Sequence, residues 1–356
     1  MTAESSARQE AWIRDTVPRI WTHAIIEAIR PLKGDASTRR FWRVEVLQRR
    51  SMRSVFPETA IAIDLGPDDL PLYVRTLGLV SAPLPEPPWV TLQRFFAKID
   101  IAVPYLWEAD TAARMLLVED VGKLPLFEAA ERGDAGDLYR LAADELLRIH
   151  LQGTKRLDPN CIAAKIAYDE RLFRWEMEQF VELAPTLIAA GVNRDALAAE
   201  LDDLAARLGR LPRVLSHRDY HGHNLFIQIG DSGEPKIRVI DFQDALMAPA
   251  AHDLSVLLTT RDTSRIIAPR VEQRVLDYYY GALIRREVAT LSLNEFIESY
   301  RMSVLQHALK VIGRFTYLER NGKTGYAIYI PYALEQARRM LVQMKDFPVL
   351  REALRQ

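Results

Sequence analysis

The chain has 356 residues, with 47 Lys and Arg against 48 Asp and Glu, a formal charge of −1. A balance this near zero gives no electrostatic case for nucleic acid or an acidic membrane as a partner. The single cysteine, Cys161, excludes an internal disulfide framework. It suits a reducing compartment, and the cytoplasm is the expected location.

The N-terminal MTAESSARQEAW lacks the basic start and apolar core of a signal peptide. No run of eighteen apolar residues is present, so no membrane span is expected. Over residues 7 to 30, Trp12, Ile13, Val17, Ile20, Trp21, Ile25, Ile26 and Ile29 recur near helical spacing and predict one helix. Turn formers in KGDASTRRF then lead into Phe41-Trp42-Arg43-Val44-Glu45-Val46, which alternates as a strand does. The polar residues 47–57 read as a loop and TAIAIDL (59–65) as a second strand. SAPLPEPP, with four prolines, is irregular and delivers the chain to a helix from about Trp89 to Lys98. VPYLWEA and ARMLLVEDVG read as two further strands.

Beyond residue 122 the character changes. Residues 124–208 read as several helices, among them YRLAADELLRIHL. LFIQI and KIRVIDF, separated by the turn formers GDSGEP, predict a β-hairpin. From Asp253 onward the pattern is helical, and Phe296, Tyr300, Leu305, Leu309, Ile312 and Phe315 form the core-facing stripe of one helix. The expected class is α+β, with a small β-rich lobe over 1–121 and a larger, mainly helical lobe over 122–356.

The chemistry concentrates in HRDYHGHN, 217–224, just before the hairpin. The return strand ends in Ile240-Asp241-Phe242, so Asp241 arrives near Asp219 and Asn224. A carboxamide and a carboxylate are hard oxygen donors that suit magnesium, which completes its shell with water and phosphates. Asn224 and Asp241 fill that role and leave Asp219 free to orient and deprotonate a hydroxyl, the division of labour in kinase-type phosphoryl transfer. A zinc site on His217, His221 and His223 is the competing reading, but Gly222 and Asn224 argue against the helical pair that such a site commonly uses. Arg218, Tyr220, His221 and His223 read individually as loop-packing or solvent-facing residues.

VLSHRDYHGHNLF and VIDFQDALMAPAAHDLSVLL resemble the aminoglycoside phosphotransferase/choline kinase superfamily, which implies a protein-kinase-like bilobal fold and ATP with magnesium as cofactors. GDASTRRFWRV, LLVEDVG, IDFQDA and LQHALKVIGRFTYLERNGKTGY are similar, more narrowly, to anomeric sugar kinases of the AmgK type. That likeness implies phosphorylation of the anomeric hydroxyl of N-acetylmuramate or N-acetylglucosamine in cell-wall sugar recycling. It implies Asp219 as catalytic base and Asn224 and Asp241 as metal ligands. Asp253 would brace the catalytic loop and His217 would hold it. The backbone of Glu119 and Val121 would pair with adenine, and the turn from Gly34 to Arg40 would cover the phosphates. Arg218, His223 and Lys310 are weaker candidates to reach the acceptor.

Two departures from protein kinases stand out. TAIAIDL carries no lysine, with Asp64 about where one would look, and Arg39, Arg40 and Arg43 are candidates to replace its charge. No A-P-E segment follows the D-F pair, which argues against a protein substrate. Another small hydroxyl acceptor (an aminoglycoside, a choline-like alcohol or another sugar) stays open, as does a non-catalytic binding module. The oligomeric state is not readable from the sequence.

Overall fold

The computed structural model describes residues 3–32, 34, 39–47, 57–68, 70–80, 84–230 and 233–355. A helix, α1 (Ala3–Ile20), precedes β1 (Ile25–Leu32), β2 (Arg40–Leu47) and β3 (Thr59–Asp64). After a short α2 (Leu72–Thr76) and α3 (Pro88–Lys98) come β4 (Leu106–Asp110) and β5 (Met115–Glu119). The five strands form one antiparallel sheet in the order β1-β2-β3-β5-β4.

The single helix expected over 7–30 is therefore a helix and a strand. The break lies at Trp21–Ala24, where His23 takes a left-handed backbone at φ 70°. Helices α4 (Leu126–Arg132), α5 (Ala135–Arg148), α6 (Thr154–Arg156), α7 (Ile162–Lys165), α8 (Glu170–Leu183) and α9 (Arg194–Gly209) follow. Then come β6 (Arg213–Ser216), β7 (Leu225–Ile229), β8 (Pro235–Val239) and β9 (Leu246–Pro249). The chain closes with α10 (Ala250–Thr259), α11 (Pro269–Arg285), α12 (Leu293–Arg320), α13 (Ile330–Gln343) and α14 (Pro348–Ala353). No helix among the described residues is long and apolar enough to cross a membrane.

Strand alternation gives the five-stranded sheet two different faces. Trp42, Val44, Val46, Ala60, Ala62, Met115 and Leu117 turn to one side and pack with Ile13 and Val17 of α1. Phe41, Arg43, Ile61, Ile63 and Val118 turn to the other and roof a cavity of about 720 Å³. The floor of that cavity comes from the helical part of the chain.

Two strand pairs position the floor. β7 and β8 form the expected hairpin, with Ile227 opposite Ile237. β6 and β9 pair with Leu215 opposite Met247. Residues 217–224 link β6 to β7, and residues 240–245 link β8 to β9. Both chemistry-bearing loops are thus held at the same end of two antiparallel pairs. Phe242 anchors the second loop, fully buried against Trp89 and Phe96 of α3, with ring centroids 5.2 and 5.6 Å away.

Candidate active site

The 217–224 loop is fixed from below by one carboxylate. Asp253, fully buried on α10, accepts hydrogen bonds from the backbone N–H groups of His217 and Arg218, both at 2.9 Å. It also accepts from the Ser216 hydroxyl and pairs with Nε2 of His150, again at 2.9 Å. Burial works against its charge, but the hydrogen bond from His150 and the neighbouring imidazoles hold its pKa down to about 2. This bracing stabilises Arg218 in a left-handed conformation, φ 78°, that a side chain rarely adopts. His217 is turned inward, its Nε2 donating to the Ile240 carbonyl at 2.9 Å, so it ties the two loops together.

Asp219 faces the cavity next to two cations, Lys310 Nζ at 3.6 Å and Arg218 Nη1 at 3.8 Å. Burial alone would raise its pKa. Lys310 and Arg218 overrule that and hold the carboxyl well below the usual range. Asn224 donates from its amide nitrogen to the Asp219 carbonyl at 3.0 Å, and its own backbone carbonyl accepts from Ile240 N–H at 3.0 Å. Asp241 has φ 61° and its Oδ1 accepts from Gln243 at 2.8 Å and pairs with Arg39 at 3.3 Å.

These residues fit a magnesium ion. The Asn224 amide nitrogen is committed to the loop, which leaves the carboxamide oxygen as its remaining donor atom beside the cavity. With an Asp241 carboxylate oxygen, that makes a hard, two-ligand set suited to an ion that keeps water and phosphate in its shell. The histidines do not make the zinc tripod. His217 is spent on Ile240, and no group of three acidic, histidine or cysteine side chains poised to hold a metal occurs among the described residues.

The weaker candidates fall differently from expectation. Arg218, read as loop-packing or solvent-facing, is buried. Its guanidinium lies 3.0 Å from Glu176, 3.6 Å from Asp244 and 4.2 Å from the Tyr73 ring centroid. Lys310 pairs with Glu176 as well as Asp219, both at 3.6 Å, so its ammonium serves two carboxylates. His223 lines the cavity, stacked on Phe127 at 4.8 Å and 4.0 Å from Asp262. His221 lines it as well, its Nε2 3.4 Å from the Asn224 amide nitrogen.

Glu176 and Asp244 were not singled out by the sequence. Glu176 is fully buried and gathers Arg218, Lys310, the Gln306 amide at 3.0 Å and the Tyr168 hydroxyl. Nothing in the residues near position 176 marks this role, because Arg218, Gln306 and Lys310 are remote in sequence and only Tyr168 is near. Asp244 did carry a signal, its place in IDFQDA. Burial, only partly offset by Arg218, raises its pKa.

At the opposite end, Glu119, Asp120, Val121 and Gly122 line the cavity. The Glu119 N–H is used by the Tyr105 carbonyl, whereas the Val121 backbone makes no hydrogen bond among the described residues. Arg43 is held in a fork by Asp120 at 2.6 and 3.1 Å. Arg39 lines the cavity but Arg40 does not, because strand alternation sends it to the α1 side with Trp42. Asp64 is likewise not the counterpart of a kinase lysine. It points to Gln9 of α1, whose amide donates to it at 2.7 Å, and Ile61 and Ile63 hold the cavity-facing positions. Of the turn from Gly34 to Arg40, positions 35–38 lie outside the described residues, as does Lys33.

Residues 28–288 match the model of the phosphotransferase enzyme family. The chain belongs to that family. Among relatives of this phosphotransferase, an N-acetylmuramate/N-acetylglucosamine kinase from Caulobacter vibrioides is 30% identical over 320 residues, 84% of each chain. A kinase of the same name from Pseudomonas aeruginosa is 27% identical over 334 residues, 90% of this chain and 87% of that one. A choline kinase from Cryptosporidium parvum superposes with a TM-score of 0.63 at 12% identity, covering 97% of this chain and 99% of that one. An ADP-bound aminoglycoside phosphotransferase does so with a TM-score of 0.53 at 13% identity, covering 95% and 97%. At such identities the likeness is one of fold, and the fold of this phosphotransferase is the protein-kinase-like α+β fold.

Proposed function

We propose that this phosphotransferase transfers the γ-phosphoryl group of ATP to the anomeric hydroxyl of an N-acetylated amino sugar, N-acetylmuramate or N-acetylglucosamine, giving the 1-phosphate. The observation that carries the chemistry is the Asp219 carboxylate, kept ionised by Lys310 and Arg218 at the cavity floor beside Asn224 and Asp241. The acceptor rests on the relatives, four of which carry the name N-acetylmuramate/N-acetylglucosamine kinase. A place in cytoplasmic recycling of cell-wall sugars follows from that substrate class. On this reading residues 1–121 form the nucleotide lobe and 122–356 the catalytic and acceptor lobe.

In the transfer, the anomeric oxygen bonds to the γ-phosphorus as the bond to the ADP oxygen breaks. The hydroxyl proton passes to Asp219. An anomeric hydroxyl is more acidic than an ordinary alcohol, so less is asked of the Asp219 carboxylate as it orients the hydroxyl and takes its proton. Adenine would pair with the Glu119 carbonyl and the Val121 N–H. Asn224 and Asp241 would hold Mg2+, whose charge offsets that of the phosphates. Arg39, close to Asp241, is the best placed of the three arginines to replace the missing lysine.

Another small hydroxyl acceptor is the second reading, since choline kinases and aminoglycoside phosphotransferases share the fold. The cavity lining disfavours a cationic one, because Arg218, Arg261, Arg314 and Lys310 at its helical end outnumber the carboxylates Glu176, Asp219 and Asp244 there. A non-catalytic module is disfavoured by the intact set of Asp219, Asn224 and Asp241. Phosphorus NMR of the products from ATP and each sugar tests the proposal. A phosphate resonance coupled to the anomeric proton is expected. Phosphate on another oxygen, or ATP hydrolysis without sugar phosphate, would overturn it.

A further inference from the structure

Most cations that line the cavity have a carboxylate close by. Arg39 faces Asp241 at 3.3 Å, Arg43 faces Asp120 at 2.6 Å and Arg75 faces Asp68 at 2.7 Å. Arg218 faces Glu176 at 3.0 Å, and Lys310 faces Glu176 and Asp219 at 3.6 Å. Arg314 of α12 also lines the cavity, yet no hydrogen bond or ion pair engages it among the described residues. Its described contact is the ring of Tyr317, 5.4 Å away.

We propose that Arg314 binds the carboxylate of an acidic amino sugar and so sets a preference for N-acetylmuramate over N-acetylglucosamine. The inference rests on the reading that the acceptor is one of these sugars. The two differ by the lactyl ether on C3, which carries a carboxylate in N-acetylmuramate and is absent from N-acetylglucosamine. A guanidinium suits that group because it can grip both carboxylate oxygens at once.

Placement supports the assignment. Lys310 and Arg314 are four residues apart and share a face of α12, one helical turn of about 5.4 Å. Lys310 marks the reacting end, beside Asp219. Arg314 lies one turn along, a step on the scale of the distance from an anomeric oxygen to a carboxylate carried on C3. Phe315, Leu318 and Tyr326 line the same end and offer an apolar wall for the ring. Lys310 itself is a poorer reader of the carboxylate, because Glu176 and Asp219 already neutralise it. Arg314 is partly buried, and burial together with nearby Arg218 holds its pKa below the usual arginine value. Asp219 acts on it only from beyond ion-pair distance, so a half-buried cation with no carboxylate in contact is costly, and a substrate carboxylate would relieve that cost.

The test is steady-state kcat/KM for both sugars in the wild type, Arg314→Gln and Arg314→Lys. The ratio of N-acetylmuramate to N-acetylglucosamine should fall roughly 10- to 100-fold in Arg314→Gln. Arg314→Lys keeps the charge without the fork and should fall between the two. An unchanged ratio in both variants overturns the assignment, even if Arg314→Gln is poorly folded, because the lysine variant decides. A wild type inactive on both sugars instead overturns the acceptor reading, and this inference with it.

Discussion

Asp253 and His150 meet at 2.9 Å in a site from which water is excluded, and the same carboxylate carries the backbone of the catalytic loop. Replacing Asp253 with alanine removes the acceptor for four donors at once. We expect a loss of about 3–5 kcal/mol in urea unfolding, with turnover lost in parallel. The acid response has a defined sign. The carboxyl sits at about 2 when folded against 3.8 as its ordinary value, so its contribution is complete above about pH 4 and vanishes as pH falls through about 2. Wild type should lose on the order of 2 kcal/mol more than Asp253→Asn across that window. Parallel stability curves for the two proteins would refute it.

Asp219→Asn keeps the shape of the side chain and removes the proton acceptor. Turnover should fall roughly 10²- to 10⁴-fold while nucleotide still binds, measured by sugar phosphorylation and by calorimetry. In wild type, protonation of Asp219 should not limit activity near neutral pH, since Lys310 and Arg218 hold its pKa well below the ordinary range. Lys310→Met removes one of those cations at 3.6 Å. The pKa of Asp219 should then rise toward the ordinary carboxylate range, so that the acid limb of kcat/KM appears at higher pH than in the wild type. A limb that stays in place would mean that Lys310 does not tune the base.

Asp241→Asn should weaken nucleotide binding by roughly tenfold or more when magnesium is present, and little in its absence. Calorimetric titration of ATP with and without the metal reads this directly. Equal loss under both conditions would assign Asp241 a structural role instead.

Gly313 sits where α12 crosses α8. A Cβ built there would lie 2.6 Å from backbone atoms of Gln179 and Phe180, closer than packed atoms approach. Gly313→Ala must push the two helices apart and should cost about 3 kcal/mol or more in a thermal melt. Because Lys310 and Arg314 flank this position, activity should fall further than stability alone explains.

The catalytic loop and hairpin were legible because their signals are local. H-R-D-x-x-x-x-N and I-D-F lie in one short stretch, and GDSGEP names the turn between the strands. The N-terminal segment misled because Ile25, Ile26 and Ile29 fit both a helical and a strand spacing. The burial along β1 shows why, since both faces of this edge strand are partly exposed and no clean alternation results. β6 and β9, four residues each, are too short to display a period. Arg218 looked like a loop residue because its partners, Tyr73, Glu176 and Asp244, are supplied by three other segments. Arg40 was grouped with Arg39 and Arg43 by proximity in sequence, and only the pairing of β2 with β3 shows which arginines face the cavity.

Arg238 on β8 spends all five of its N–H donors at one junction. Nε donates to the Ala102 carbonyl at 3.2 Å, and Nη1 to Glu119 and Gln228, each at 2.7 Å. Nη2 donates to the Val103 carbonyl at 3.0 Å and to Glu119 at 2.5 Å. The segment entering β4, the end of β5 and the catalytic hairpin are therefore riveted at a single point. Sliding of the sheet across the helical body would break the four bonds to Ala102, Val103 and Glu119 together. The Glu119 end of the cavity is thereby tied to the strand that leads into Asp241.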